Sequence, residues 1–126
     1  MSEGRRPARV AERVKEYLAE CIQRDLSDPR LMGVGITRVE VPPDLSVAIV
    51  YVRHYFGGDT PNARKNAVRA LHSAGGRLRR GLGPALGVKR LPELRFEYDT
   101  GPDATRRVEE LLHEIHGEHE PGGKAN

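Results

Sequence analysis

The side chains most able to do chemistry in this sequence are arginines and lysines, and they are concentrated in one central segment. Residues 60–92 contain eight basic side chains and no carboxylate, although the whole chain of 126 residues carries 21 basic and 18 acidic side chains. Cations without neighbouring carboxylates attract polyanions, so this segment predicts contact with nucleic acid. The alternative is a basic helix face that is only solvated. The eight residues are Arg64, Lys65, Arg69, Arg77, Arg79, Arg80, Lys89 and Arg90.

Three of these arginines directly follow a pair of glycines, Gly75 and Gly76. If a helix began near Gly76, its unpaired backbone N–H groups would combine with the guanidinium groups of Arg77, Arg79 and Arg80 to bind phosphate. Glycine has no Cβ, so it also lets a nucleic-acid backbone come close. The other interpretation is a packing kink with the arginines spread into solvent.

Catalytic and metal-binding patterns have little support. His113 and His116 could share a helix face, but Gly117 is expected to end that helix before His119, so no metal site is predicted. The sequence has no phosphate-binding loop, nucleophile elbow or His-Glu-x-x-His motif. We therefore expect no enzymatic activity, no catalytic residue, no metal and no cofactor.

Composition excludes several classes of protein. Cys21 is the single cysteine, so an internal disulfide or a cysteine-held zinc ion is impossible, and it is expected to be a small core residue. No apolar run approaches the roughly 18 residues of a membrane span, and the N-terminus lacks the apolar core of a secretory signal. We expect a cytoplasmic protein with no membrane contact.

Hydrophobic periodicity indicates the elements that must position the basic residues. An apolar stripe predicts a first helix over about residues 8–26, and β-branched runs predict a hairpin of strands at 36–41 and 47–55. Because the second strand is apolar on both faces, it should be central in the sheet. A second helix should begin at Thr60-Pro61 and continue to about residue 82, with a bend or a break at Gly75-Gly76.

A third strand is predicted at residues 91–98 and a last helix from Asp103 to Ile115. This order predicts an α+β fold in which a three-stranded sheet carries helices packed on one face, with a kinked central helix pair. Residues 1–116 should form a single domain, and the polar residues 117–126 a disordered tail.

The order of short motifs over residues 5–112 resembles the ribosome-binding factor A family, a group of bacterial small-subunit maturation factors. The matching motifs are Arg9-Val10, Asp28-Pro29-Arg30, Val39-x-Val41, Asp44-Leu45, Ala48-x-Val50-Tyr51-Val52, Ala70-Leu71, Ala74-Gly75-Gly76 with Leu78-Arg79, and Pro92-Glu93-Leu94-x-Phe96-x-Tyr98-Asp99. The resemblance implies a type II KH-like fold in which an Ala-x-Gly kink, matched by Ala74-Gly75-Gly76, replaces the usual Gly-x-x-Gly loop. It also implies binding to the free 30S subunit, support for late maturation of 16S rRNA including its 5′ end, release before translation, and importance in the cold.

Taken together, these features predict a monomeric, non-enzymatic assembly factor whose partners are the 30S ribosomal subunit and its 16S rRNA. The alternatives are a general or sequence-specific binder of DNA or RNA without ribosome specificity, and an enzyme that processes RNA. The predicted RNA-binding residues are Arg64, Lys65, Arg69, Ala74, Gly75, Gly76, Arg77, Arg79, Arg80, Lys89 and Arg90.

Overall fold

The computed structural model describes residues 2–24, 27–57, 59–101 and 113–115. Two long helices and three strands form the described fold, with a short 3-10 helix between the first helix and the first strand. Each of the two helices and three strands predicted before residue 99 is present. The elements are α1 (Ser2–Arg24), the 3-10 helix (Pro29–Leu31), β1 (Val34–Glu40), β2 (Val47–His54), α2 (Pro61–Leu86) and β3 (Glu93–Tyr98).

The three strands form one mixed sheet with β2 in the centre. β1 pairs with β2 in antiparallel fashion, which confirms the predicted hairpin, whereas β3 runs parallel to β2. A parallel neighbour needs a crossover connection, and α2 provides it. The central position of β2 agrees with the apolar side chains on both of its faces.

One face of the sheet packs against α1 and α2. Ala48, Val50 and Val52 of β2 are buried there together with Phe96 of β3. The predicted stripe of α1 is buried in the same cluster, which confirms its orientation. Its buried members are Val10, Val14, Leu18, Cys21 and Ile22.

The opposite face of β2 is covered as well. Val47, Ile49 and Tyr51 are buried in a separate cluster, and Ile115 packs against them. Because successive side chains of a strand point to opposite faces, this is the face turned away from α1 and α2. Ile115, which lies in the helical residues 113–115, therefore covers part of a second face, whereas the sequence led us to expect helices on one face alone.

α2 is one continuous helix from Pro61 to Leu86. The Thr60 hydroxyl accepts a hydrogen bond from the Ala63 N–H at 3.1 Å, which confirms the predicted cap. The prediction of two helices meeting at Gly75-Gly76 is wrong, because the chain stays helical through both glycines. Each glycine costs about 1 kcal/mol relative to alanine, and burial of leucines on both sides of the pair offsets that cost.

α1 and α2 lie side by side and run in opposite directions. Near the start of α1, Val10 lines a cleft with Leu86 from the end of α2. Further along, the Tyr17 hydroxyl lies so close to Gly81 that a Cβ at that position would overlap it. The first turns of α1 are therefore neighbours of the last turns of α2.

The predicted C-terminal elements fall mostly outside the described residues. Of the helix expected from Asp103 to Ile115, the described part is residues 113–115, which are helical. The expected tail at 117–126 and the domain boundary at residue 116 also lie outside the described residues. Among the residues that are described, no helix is long and apolar enough to cross a membrane.

Candidate nucleic-acid interface

Basic residues on α2 form one exposed group on the side away from the core. Lys65, Arg69, Gly76 and Arg80 are exposed and follow one another at spacings of four, seven and four residues. Such spacings return to the same side of an α-helix, because seven residues make nearly two turns. Arg77 is exposed at the edge of this face. We call Lys65, Arg69, Arg77 and Arg80 the basic stripe; within the described part of the chain, none of them makes an ion pair.

Arg64 has a different environment, although it precedes Lys65 directly. Its Nε donates a 2.7 Å hydrogen bond to Oδ1 of Asp59, and its guanidinium carbon lies 4.7 Å from the centre of the Tyr98 ring. The hydrogen bond from Arg64 is the main reason that the pKa of Asp59 is lowered. The charge of Arg64 is thus balanced within the fold, and its role in RNA binding stays a prediction.

Arg79 donates hydrogen bonds to the backbone that leads into β3. Its Nε donates to the carbonyl oxygen of Pro92 at 3.0 Å, and its Nη2 donates to that of Leu91 at 2.9 Å. These two bonds join the last third of α2 to the start of the edge strand. Arg79 therefore contributes to holding β3, while its neighbour Arg80 is exposed and has no ion pair within the part of the chain that the structure describes.

The glycine pair offers a bare helix surface and no helix end. Because α2 continues through Gly75 and Gly76, the predicted free N–H groups at a helix start near Gly76 are absent. A Cβ at Gly75 would meet nothing within 4 Å, and one at Gly76 would meet only the end of the Arg80 side chain at 3.8 Å. Neither glycine is required by packing in the described fold. A phosphate group at this position would contact arginine side chains and a stretch of helix backbone that no glycine side chain shields.

A groove lies between this part of α2 and the 3-10 helix. It has a volume of about 820 Å³, and its lining includes Ala74, Gly76, Arg77 and Arg80 of α2. Ser27, Asp28 and Pro29 form the opposite wall. Four of the predicted RNA-binding residues, Ala74, Gly76, Arg77 and Arg80, therefore line one groove, whereas Gly75 and Arg79 do not line it.

The groove wall that Ser27, Asp28 and Pro29 form is stabilised by an ion pair between Asp28 and Arg30. The Asp28 carboxylate accepts hydrogen bonds from the backbone N–H of Arg30 at 2.9 Å and from Nη2 of the same residue at 2.6 Å. The side-chain bonds from Arg30 are the largest cause that lowers the pKa of Asp28, from 3.8 to about 2. Asp28 is therefore used inside the turn, and the groove carries a net positive charge from α2.

This pairing makes a prediction about pH. Because the pKa of Asp28 is lower in the folded protein than in the unfolded chain, the pair stabilises the fold above about pH 4, and its contribution is lost as the pH falls towards 2. Carbon-detected NMR should show Asp28 titrating near 2 in the wild type and at a higher pH in Arg30→Ala, although still below 3.8, because the backbone N–H of residue 30 continues to donate to the carboxylate. Asp59 is an internal reference that R30A should leave unchanged. A wild-type Asp28 that titrates at its ordinary value would contradict the pairing.

Sequence reasoning missed an exposed apolar patch that continues from this groove. Met32, Tyr55 and Phe56 are 70%, 58% and 66% exposed, the largest apolar side chains at the described surface. They line a second cleft that shares Ser27, Asp28, Pro29 and Leu31 with the groove. The sequence contained a signal for this patch, because the aromatic pair Tyr55-Phe56 directly follows β2 and directly precedes a pair of glycines. Aromatic rings beside cations are suited to stack on unpaired bases.

Lys89 and Arg90 are exposed in the loop after α2. Neither is among the residues that line the groove. They therefore do not line the groove with Arg77 and Arg80, although the prediction grouped all of these residues together.

Metal ligands do not cluster in the described structure. Within the described ranges, no group of three or more His, Cys, Asp or Glu side chains is arranged to hold a metal ion. Of the three histidines considered from the sequence, His113 is described and exposed, whereas His116 and His119 lie outside the described residues.

Comparisons with known proteins point in one direction. A family model described as ribosome-binding factor A matches residues 6–112. A ribosome-binding factor A of Sorangium cellulosum is 50% identical over 111 residues, covering 88% of this chain and 89% of that protein. One from Pelobacter propionicus is 40% identical over 117 residues, covering 93% of each chain.

Solved structures agree with the sequence comparisons. The crystal structure of ribosome-binding factor A from Thermus thermophilus matches with a TM-score of 0.63 and 35% identity, covering 73% of this chain and 93% of that one. A solution structure of a Thermotoga maritima protein described as a ribosome binding factor A homologue gives 0.65 and 36%, covering 79% and 92%. A Thermus thermophilus homology model fitted into a cryo-EM map of a 30S–RbfA complex gives 0.57 and 36%, covering 71% and 91%.

Proposed function

The chain belongs to the ribosome-binding factor A family, and from this premise we propose that it binds the free 30S subunit and supports late maturation of that subunit, including processing of the 5′ end of 16S rRNA. It acts as a monomer in the cytoplasm by binding RNA, without catalysis. The observation that carries the proposal is the family match over residues 6–112, which includes the whole of α2. A relative has been fitted into a map of a 30S complex, which supports the same partner here.

The basic stripe is the surface we assign to rRNA. Its side chains are exposed and make no ion pair among the described residues. Two of them, Arg77 and Arg80, line a groove that continues into a cleft with an exposed aromatic patch. Guanidinium groups bind phosphate oxygens, and aromatic rings stack on unpaired bases. This combination fits folded rRNA with some unpaired nucleotides better than a regular duplex, whose bases are already stacked.

Co-sedimentation tests the proposal directly. Purified protein is incubated near physiological salt with separated 30S subunits, 50S subunits and intact 70S ribosomes. We expect retention on free 30S subunits alone. Equal retention on all three would favour a general nucleic-acid binder, and rapid Mg²⁺-dependent cleavage of precursor rRNA by the purified protein would favour an enzyme.

The glycine pair supplies a matched test of close RNA approach. Gly75→Ala and Gly76→Ala should each stabilise α2 by about 1 kcal/mol, because alanine restricts the unfolded chain and favours helix, and neither Cβ meets a clash. Gly76 lies on the face of the basic stripe, so G76A should also weaken binding to 30S subunits, by roughly tenfold if one phosphate contact is lost. Urea unfolding and the co-sedimentation assay measure the two effects.

In this comparison G75A is the control. It makes the same glycine-to-alanine change in the interior of α2, but residue 75 lies off the face of the basic stripe. Two results would count against close approach at Gly76. One is equal 30S affinity for G76A and the wild type, and the other is an equal loss of affinity in both variants.

A further inference from the structure

A second basic surface lies where the first turns of α1 meet the end of α2. The cleft between them has a volume of about 650 Å³, and four arginines line it over an apolar floor of Val10, Leu86 and Val88. We call it the α1 arginine cleft, after Arg5, Arg6, Arg9 and Arg13. Among the described residues, it shares no lining residue with the groove beside the basic stripe.

The charges of this cleft are not explained by the stability of α1. Arg5, Arg9 and Arg13 follow one another at intervals of four residues, and like charges at that spacing destabilise a helix by a few tenths of a kcal/mol per pair, roughly. Positive side chains near the start of a helix are also unfavourable, because that end of the helix dipole is positive. An arrangement that costs helix stability needs another explanation.

Carboxylates in the described fold do not neutralise the cluster. Arg5, Arg6 and Arg9 are exposed and make no ion pair within the described ranges. Arg13 donates from Nη1 to the carbonyl oxygen of Ala85 at 3.3 Å, which fixes it against the end of α2. As far as the described residues show, three guanidinium groups are available to a ligand.

The acidic residues of the same helix mark where the surface ends. Glu16 and Glu20 line the next cleft along α1, together with Arg13 and Tyr17. Arg13 thus lies between the arginines of the first turns and this pair of glutamates. At the other end, the exposed Lys89 and Arg90 directly follow Val88, which lines the α1 arginine cleft.

We propose that the α1 arginine cleft is a second RNA-binding site, which holds a phosphate backbone segment separate from the one on the basic stripe. This inference rests on the proposed function, since it takes the ligand to be rRNA. The fan of guanidinium groups binds phosphate oxygens, and the apolar floor accommodates a sugar or base edge between them. Two sites on one rigid domain would fix its orientation on the subunit as well as its affinity.

The test compares two double variants of the full chain. R5Q/R9Q removes two charges from the α1 arginine cleft, and K15Q/R24Q removes two charges from elsewhere on α1. Affinity is measured against salt concentration with two probes, intact 30S subunits and protein-free small-subunit rRNA. R5Q/R9Q should reduce the slope of log affinity against log salt by about 1.5 with both probes, whereas K15Q/R24Q should leave it nearly unchanged. The melting temperature of R5Q/R9Q should stay the same or rise, because like-charge repulsion is removed.

Each remaining outcome overturns a defined statement. Unchanged slopes for R5Q/R9Q with both probes would overturn the cleft and leave the proposed function intact, provided the wild type binds 30S subunits. A reduced slope with subunits but not with protein-free rRNA would assign the cleft to an acidic ribosomal protein and overturn an RNA ligand. If the wild type ignores 30S subunits, the proposed function fails, and the rRNA titration still decides whether the cleft binds RNA.

Discussion

Replacing Gly33 with alanine should lower the free energy of unfolding by about 3 kcal/mol. Gly33 has φ +79°, in the left-handed region that side chains disfavour, and a Cβ there would overlap the carbonyl oxygen of Phe56. The residue cannot move aside easily, because the Tyr55 N–H donates to its carbonyl oxygen at 2.7 Å. For a domain of this size the loss corresponds to a fall in melting temperature of about 15 °C.

Gly57 provides a matched control for the clash. It has nearly the same backbone angle, φ +83°, but a Cβ at that position would meet nothing within 4 Å. Gly57→Ala should therefore cost only the left-handed backbone, about 1 kcal/mol. Chemical unfolding of both variants measures the difference. Equal losses would mean that the backbone angle alone explains Gly33, and that the contact with Phe56 does not matter.

The second large effect concerns the basic stripe. R69Q/R80Q should reduce the slope of log affinity for 30S subunits against log salt by about 1.5 and weaken binding about 20-fold near 0.15 M salt, if each arginine contacts one phosphate. Both side chains are exposed and free of ion pairs among the described residues, so their loss should leave the melting temperature nearly unchanged. Fluorescence titration over a range of salt concentrations gives the slope.

R64Q/R79Q is the matched control, with two arginines removed from the same helix. Arg64 is bound to Asp59, and Arg79 is bound to the carbonyl oxygens of Leu91 and Pro92, so both support the fold. This variant should melt at a lower temperature and keep a nearly unchanged slope. The reverse pattern, with a larger slope change in R64Q/R79Q, would move the RNA surface to the β3 side of α2.

Local patterns in the sequence were sufficient for the elements and the family. The stripe from Val10 to Ile22, the doubly apolar run of β2 and the Thr60-Pro61 cap each depend on residues close together in the chain, and the structure contains all three features. The α+β, KH-like fold and the ribosome-binding factor A resemblance are likewise confirmed by the comparisons. The absence of carboxylates from residues 60–92 is a property of composition, so it too was visible from the sequence.

Only the tertiary structure decided which cations are available to a ligand. Continuity of α2 through Gly75-Gly76 fixes the helical phase, so that Arg69 and Arg80 share a face. The parallel placement of β3 brings carbonyl oxygens to Arg79. Antiparallel packing of the two helices carries the arginines of α1 to the end of α2, and the β1–β2 pairing places Phe56 against Gly33. These contacts join residues far apart in the chain, and local propensity carries no information about such distances.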